Sequence, residues 1–199
     1  RGVVRKLAEE GDPKFLKLQV VVDELKEIAR QGGMQAKAVW QFFPARSEGN
    51  RLTLLDPKAG EGDRVIASWE LPRQEGSDGL AISDYVLDSD HVALFVTTAG
   101  AGVPAEAAAE WLHRKLRSDW GFPDPAETTP QDRFSARYRG KRYSFGYPAC
   151  PDLSGQQQLF AALRPEEIGV ELTEGDMMDP EASVSALVFH HPDARYFGV

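Results

Sequence analysis

Residues 142–152, R-Y-S-F-G-Y-P-A-C-P-D, combine side chains that could recognise a small ligand. Arg142 offers a planar fork of donors for a carboxylate or for ribose hydroxyls. Pro148 and Pro151 fix their own φ angles and favour an extended conformation in the residue before each of them, so the stretch is stiff. Gly146 removes a side chain where a flat group could approach the backbone. From these residues alone, a stiff structural turn and a clamp for a ligand with an anionic end and a planar end both remain open.

Three other combinations could carry chemistry, and each has a simpler structural explanation. Residues 98–105, T-A-G-A-G-V-P-A, fit the G-x-G-x-x-A pattern of dinucleotide-binding loops, but no strand ending in an acid follows about 20 residues later. Glu110 and His113 have the i, i+3 spacing of di-iron sites, which require two such pairs. His190 and His191 would point to opposite sides of a strand. We therefore predict neither a dinucleotide site nor a metal site.

The composition is that of a protein that folds without metal or disulfide cross-links. The chain has 199 residues, of which 42% are hydrophobic, enough for one sizeable domain. Cys150 is the single cysteine; it favours a reducing compartment, and without a histidine near it in sequence we predict a packing role. A formal charge of −8 argues against nucleic-acid binding. Because the sequence contains neither a run of ~18 apolar residues nor a signal peptide, we predict a cytoplasmic protein that does not contact membranes.

Charge is unevenly distributed along the chain. Residues 133–142 contain five basic side chains, whereas residues 166–181 contain seven acids and no base. Each stretch is explained as a solvated face of the protein. The basic stretch has a second explanation, as a surface that receives an anionic ligand or an acidic protein partner. The sequence leaves both explanations open.

Hydrophobic periodicity predicts strands and helices that mix without strict alternation. Short apolar runs between turn residues predict strands at 38–43, 51–55, 65–69, 91–96 and 183–190. Helical spacing and capping signals predict helices from Asp12-Pro13 to Gly32-Gly33, from Pro104 through Trp120, at 131–139, and after a Ser154 cap, with residues 121–130 as a connection. We predict an α+β fold: a single domain with a largely antiparallel twisted sheet flanked by helices.

The motif R-x-x-x-G-Y-P-A-C-P-D at 142–152 resembles the signature of the C-terminal reactivation domain of cobalamin-dependent methionine synthase, which binds S-adenosylmethionine. Three further segments resemble the same family in order and spacing. They are an apolar strand ending in F-P-A (38–46), a long helix (105–117) followed by W-G (120–121), and a closing strand with an H-P-x-x-x-Y-F-like element (182–197). The resemblance therefore extends over nearly the whole chain.

The resemblance implies a set of residues that bind S-adenosylmethionine. Arg142 corresponds to the family's ligand-binding arginine, and the remaining positions are the aromatic pair, two residues of the motif loop and a helix glutamate: Tyr196, Phe197, Tyr147, Ala149 and Glu106. The sequence departs from the family at Ala136, where an acid is common six residues before the arginine. An upstream segment with a ligand-binding aspartate has no counterpart. The missing acids put the affinity for the ligand in question more than its identity.

The resemblance also implies a function. Such a domain supports reductive remethylation of cob(II)alamin to methylcobalamin in a cytoplasmic methyltransferase of methionine biosynthesis, and it does not turn over alone. Its implied partners are the cobalamin-binding module of the same polypeptide and flavodoxin or a similar electron donor. The chain starts at Arg1 and ends in strand-like Y-F-G-V, so residues 1–199 are expected to be a C-terminal fragment of a multidomain enzyme, truncated at one or both ends. Two alternatives stay open: a docking module for an electron-transfer protein, and a free-standing reactivator of another corrinoid enzyme.

Overall fold

The computed structural model of the chain describes residues 20, 24, 26, 27, 29–33, 35–59, 63–100 and 102–197. Backbone contacts divide the chain into two compact units, residues 1–35 and residues 36–199. In the first unit, Ala29–Gly33 form a π-helical turn in which Gly32 has a φ of 88°. Most of the helix predicted from Asp12-Pro13 onward lies outside the described residues. The elements that follow all belong to the second unit.

A six-stranded sheet forms the centre of the second unit. Its strands follow the order β3-β2-β1-β4-β8-β5, and every neighbouring pair is antiparallel. A separate two-stranded ladder pairs β6 with β7. The strands are β1 (Lys37–Glu48), β2 (Arg51–Leu55), β3 (Val65–Glu70), β4 (Asp90–Thr98), β5 (Lys141–Tyr143), β6 (Glu171–Leu172), β7 (Met178–Asp179) and β8 (Ser183–Phe189).

Helices cover both faces of this sheet. The α-helices are α1 (Gly102–Asp119), α2 (Pro130–Phe134) and α3 (Gln156–Leu163), and short 3-10 turns lie at Glu75–Ser77, Ile82–Tyr85, Leu153–Gly155 and Pro165–Ile168. The helix α1 packs against β4 and β8, and α3 packs against β3 and β4. The predicted α+β fold with an antiparallel sheet between helices is therefore confirmed.

The period-2 alternation of β4 explains why both faces need a cover. Leu94 and Val96 pack in the larger core cluster, on the side of α3. Ala93 and Phe95 pack in the smaller cluster, together with the apolar face of α1. Because successive strand residues point to opposite faces, an uninterrupted apolar strand indicates a sheet that is buried on both sides. All seven residues of β8 are buried as well.

Two helix boundaries differ from the sequence prediction. The helix predicted at 131–139 is only Pro130–Phe134, with Thr129 as its N-cap. It stops early because Ala136 adopts a left-handed conformation with a φ of 51°, which an α-helix cannot continue. Ser154 is not the cap of α3; it lies inside the 3-10 turn that precedes the helix, and its own N–H donates to the Asp152 carboxylate.

The five predicted strands are all observed, but β1 runs from Lys37 to Glu48, well past the predicted 38–43. The long helix and the irregular connection at 121–130 are observed too, with the helix starting at Gly102, two residues before Pro104. In the described part of the chain, no helix has the length and apolar character needed to cross a membrane. The short strands β5, β6 and β7 were not predicted, since two or three residues are too few for a periodic pattern.

Candidate ligand-binding site

The first residues of the 142–152 motif belong to the edge strand β5 rather than to a loop. The register pairs Arg142 with Val188 and Tyr143 with Leu187. Val188 lies in the core cluster under α1, and Leu187 lies in the cluster on the opposite face. Alternation along the strand therefore directs Arg142 toward α1 and Tyr143 toward the other side of the sheet.

The Y-P-A-C part of the motif is a tight turn. The Cys150 N–H donates to the Tyr147 carbonyl at 2.9 Å, and the Gly146 N–H donates to the Cys150 carbonyl at 2.9 Å. Pro148 occupies the second position of the turn, where its fixed φ angle is favourable. These bonds use two backbone N–H groups inside the turn, so those two donors are not available to a ligand. Gly146 has a φ of 86°, a conformation that favours glycine.

Contacts from distant segments fix this turn in place. The Gln74 side chain donates to the Pro148 carbonyl at 2.9 Å. Cys150 is buried, and its thiol donates to the Ser144 carbonyl at 2.9 Å. Burial raises the pKa of the Cys150 thiol to about 12, so the cysteine is protonated at neutral pH and packs as an apolar residue, as predicted.

A group of stacked aromatic rings holds the C-terminal segment beside the turn. Phe197 stacks on Tyr143 and on Tyr85, with ring centroids 6.2 Å apart in both pairs. The Tyr143 hydroxyl donates to the Arg195 carbonyl at 2.8 Å. Burial, together with the neighbouring Tyr85, raises the pKa of Tyr143 well above its usual value, so its hydroxyl remains a donor. Tyr196 follows with a half-exposed ring that packs edge-on against Tyr143.

One cavity of about 320 Å³ opens between the turn, β5, α1 and the C-terminal segment. This volume is within the range of small-molecule sites, roughly 300–1,000 Å³. The cavity is lined by all six residues predicted to bind a ligand, namely Glu106, Arg142, Tyr147, Ala149, Tyr196 and Phe197. It is also lined by four residues that sequence reasoning did not select, Tyr143, Ser144, Pro148 and Val184. The structure therefore brings the predicted positions together, although they are distributed along the chain from α1 to the C-terminal segment.

Two carboxylates of α1 surround the guanidinium of Arg142. Its Nη1 donates to Oε2 of Glu110 at 2.7 Å, and its Nη2 lies 3.8 Å from Oε2 of Glu106. Burial by itself would lower the pKa of Arg142, but the hydrogen bond to Glu110 and nearby acidic groups raise it overall. The arginine is thus permanently charged and 17% exposed. Sequence reasoning assigned Glu110 only to a rejected metal pair and missed this contact.

His113 lies behind Arg142 and is completely buried. Its Nδ1 is 3.4 Å from Nη1 of Arg142, and its ring meets the ring of Tyr138 edge-on at 5.3 Å. Burial first, and then the positive charges of Arg117, Arg142 and Lys141, lower the pKa of His113 well below 6.5. The imidazole is therefore neutral at physiological pH.

This buried imidazole predicts a loss of stability in mild acid. Below about pH 6.5 the unfolded chain protonates His113 and the folded protein does not, so the free energy of unfolding falls as the pH drops, by at most about 1.4 kcal/mol per pH unit. We expect urea unfolding at pH 7.5, 6.5 and 5.5 to give this slope, and His113→Gln to flatten it. An unchanged slope in His113→Gln would assign the acid sensitivity to other groups.

The basic stretch 133–142 is only partly the solvated face that its charge indicated. Two of its five basic side chains, Arg137 and Arg139, are exposed, whereas the last two turn inward. Lys141 is 7% exposed; its ammonium group donates to the carbonyls of Tyr138 and Gly140. Burial and the charge of Arg117 lower the pKa of Lys141 to about 8. Arg142 is also turned toward the cavity. The surface of this stretch therefore offers an acidic protein fewer basic groups than its composition indicates, which gives the docking-module alternative less support.

The described residues contain no group of three or more histidine, cysteine, aspartate or glutamate side chains arranged to hold a metal ion. His190 instead contacts Asp90, with Nε2 and Oδ1 2.5 Å apart. His191 packs its ring near Tyr85.

The fold and the cavity together define an α+β domain with a cavity of small-molecule size at the β5 edge of an antiparallel sheet. The sequence profile of the family described as "Vitamin B12 dependent methionine synthase, activation domain" matches residues 18–105 and 104–199. The chain belongs to this family.

Individual relatives agree with that assignment. Methionine synthase of Mycobacterium tuberculosis (strain ATCC 25618 / H37Rv) is 34% identical over 207 aligned residues, and that of Mycobacterium leprae (strain TN) is 32% identical over 206. Each alignment covers 82% of this chain and 17% of the relative, so the chain spans about a sixth of the length of these proteins. A crystal structure of the MetH reactivation domain bound to AdoHcy superposes with a TM-score of 0.82 at 25% identity, covering 98% of this chain and 71% of that one.

Proposed function

We propose that this domain binds S-adenosylmethionine in the cavity at β5. The observation that carries the proposal is the convergence of six positions, selected by the R-x-x-x-G-Y-P-A-C-P-D motif and its companion segments, on one cavity of about 320 Å³. The structural relative that carries AdoHcy supports the same ligand class. Under this proposal the motif is a clamp, the second of the two explanations that its residues left open.

The chemical groups of S-adenosylmethionine match those around the cavity. Its carboxylate is a partner for the guanidinium of Arg142, a residue that lines the cavity and has its Nη2 next to another lining residue, Glu106. Its sulfonium and ammonium cations match the Glu106 carboxylate and the aromatic faces of Tyr196 and Phe197. Its planar adenine matches the backbone edge at Tyr147 and Ala149, which line the cavity. The protein's contribution is position and charge complementarity, so we name no acid, base or nucleophile.

In the larger enzyme, we propose that the domain presents this ligand for the reductive remethylation of cobalamin in methionine synthase, which forms methionine from homocysteine. The cobalamin, held by another module of the same polypeptide, supplies the nucleophile for the methyl group. The residues described above bind and orient the methyl donor, and the electron comes from flavodoxin or a similar reductant. The family's description and the names of the two mycobacterial relatives support this role.

Calorimetric titration of the chain tests the proposed ligand. We expect S-adenosylmethionine to bind, and S-adenosylhomocysteine to bind more weakly because it lacks the sulfonium charge. A cation near aromatic rings contributes roughly 0.5–2 kcal/mol, so the affinities should differ by about two- to thirtyfold. If neither compound binds, the proposed function is wrong. Equal affinities would support the ligand assignment but contradict the proposed contacts to the sulfonium.

A further inference from the structure

Two glutamates on α1 lie one helical turn apart and reach the same arginine. Glu106 and Glu110 are at positions i and i+4, which places both side chains on one face of the helix. They differ in depth: Glu106 is 66% exposed and lines the cavity, whereas Glu110 is 32% exposed and does not line it. Arg142 of β5 lies opposite both of them.

The two terminal nitrogens of Arg142 are used differently. Nη1 makes a short charge-assisted hydrogen bond of 2.7 Å to Glu110 and also lies 3.4 Å from the neutral His113 ring. Nη2 lies 3.8 Å from Glu106, too far for a hydrogen bond. One side of the guanidinium is thus fixed, while Nη2, which lies next to the cavity-lining Glu106, has a loose carboxylate neighbour.

We propose that Glu110 is a positioning residue for ligand recognition, which holds Nη1 of Arg142 so that the Nη2 side stays directed at the ligand's carboxylate. The inference rests on the proposed function and deepens it. Glu106 then exchanges partners on binding: its carboxylate leaves the neighbourhood of Arg142 and turns to the ligand's cationic groups. Both ends of a zwitterionic ligand are satisfied, and no charge at the cavity is left without an opposite charge.

Loss of Glu110 has a defined consequence in this arrangement. Without its fixed partner, the guanidinium is drawn to the nearest remaining carboxylate, Glu106, and a pair between these two residues blocks the position of the ligand's carboxylate. Removing Glu110 should therefore weaken binding, although it removes a negative charge near an anion-binding site. The effect should be larger for ligands that carry a carboxylate, because a ligand with only the cationic groups loses the Glu106 contact alone.

The test compares two probes in calorimetric titrations of the full chain, S-adenosylmethionine and its decarboxylated analogue, which keeps the sulfonium, the amine and the adenine. We expect Glu110→Gln to weaken binding of S-adenosylmethionine about five- to tenfold, less than the full loss of one charge-assisted hydrogen bond because Arg142 keeps its charge, and to weaken binding of the analogue by a clearly smaller factor. Glu70→Gln is the matched control, because Glu70 pairs with Arg51 at the opposite edge of the sheet; it should change neither affinity.

A double-mutant cycle distinguishes a positioning role of Glu110 from a purely structural one. In an Arg142→Ala background, Glu110→Gln should have no further effect on S-adenosylmethionine binding, because the group that it positions is absent. If Glu110→Gln melts below the titration temperature, Glu110→Asp, which keeps the charge but withdraws it by one methylene, replaces it in both experiments. Three results would overturn the positioning role while leaving the proposed function intact. They are equal weakening of both probes, additive effects in the cycle, and S-adenosylmethionine binding that is unchanged or tighter in Glu110→Gln. If the unmutated chain does not bind S-adenosylmethionine, both proposals are wrong.

Discussion

Replacing Arg142 by alanine is expected to weaken S-adenosylmethionine binding by roughly one to two orders of magnitude, because loss of a charge-assisted hydrogen bond in a partly dry site costs about 1.5–3 kcal/mol. The side chain is 17% exposed at the cavity wall, so in the alanine variant water substitutes poorly for the hydrogen bonds that the guanidinium would give the ligand. Calorimetry gives the affinity, and thermal unfolding run alongside separates lost recognition from misfolding. The variant also leaves Glu110 without its partner, so some loss of stability is expected.

Two further variants make this result specific. Arg142→Lys should recover little affinity, because an ammonium group cannot reproduce the planar fork that donates in two directions. Arg137→Ala is the control from the same basic stretch: its side chain is well exposed and pairs loosely with Asp132 at 3.8 Å. If Arg137→Ala and Arg142→Ala bind S-adenosylmethionine equally well, Arg142 does not recognise the ligand and the clamp interpretation is wrong.

The sheet was predictable because its pattern is local. The predicted strand 91–96 lies inside β4, which spans Asp90–Thr98, and its residues 92–96 alternate between two buried faces. The apolar run that predicts a strand at 183–190 gives β8, Ser183–Phe189. The strand order and the edge position of β5 depend on contacts between distant segments, which a single sequence does not display. A left-handed residue such as Ala136 also carries no local signal, because alanine normally favours helix.

The candidate site was predictable only where a motif marked it. The R-x-x-x-G-Y-P-A-C-P-D string and its companion segments selected six positions, and all six line the cavity. The groups that hold those residues in place were missed, since each acts across a long sequence separation. Glu110 reaches Arg142 across 32 residues, and Gln74 reaches Pro148 across 74. The i, i+3 spacing of Glu110 and His113 did indicate a shared helix face, but the arginine opposite that face could not be known.

A second layer of buried charge, the ion pair of Arg117 and Asp124, lies behind the site. The Arg117 guanidinium stacks over the Tyr138 ring at 4.0 Å, and the Tyr138 hydroxyl lies 3.5 Å from Glu110. Arg117 forms two hydrogen bonds with Asp124, of 2.7 and 2.9 Å. The ion pair between Asp124 and Arg117 is therefore connected, through one aromatic ring, to the carboxylate that holds Arg142.

Loss of the Asp124 charge is expected to destabilise the fold strongly. Arg117 and Asp124 are 1% and 3% exposed. Burial by itself would raise the pKa of Asp124, but the hydrogen bonds and charge of Arg117 lower it overall, so the carboxylate is ionised at neutral pH. Asp124→Asn leaves a buried guanidinium without a counter-charge, which typically costs about 3–5 kcal/mol of unfolding free energy. Urea unfolding at pH 7 measures this loss.

The matched control is Asp63→Asn, because Asp63 contacts Arg46 at the same distance of 2.7 Å, with both side chains more than half exposed. Exposed pairs contribute about 0–1 kcal/mol, so this variant should unfold almost as the unmutated chain does. The double replacement Arg117→Met with Asp124→Leu should recover most of the stability lost in Asp124→Asn, because it removes the unpaired charge together with its cost of burial. Equal losses in Asp124→Asn and Asp63→Asn would contradict the argument, since burial is the property that separates the two pairs. If the double replacement restores stability but not S-adenosylmethionine binding, the contact of Arg117 with Tyr138 contributes to the orientation of Glu110 and Arg142, and the second layer serves recognition as well as folding.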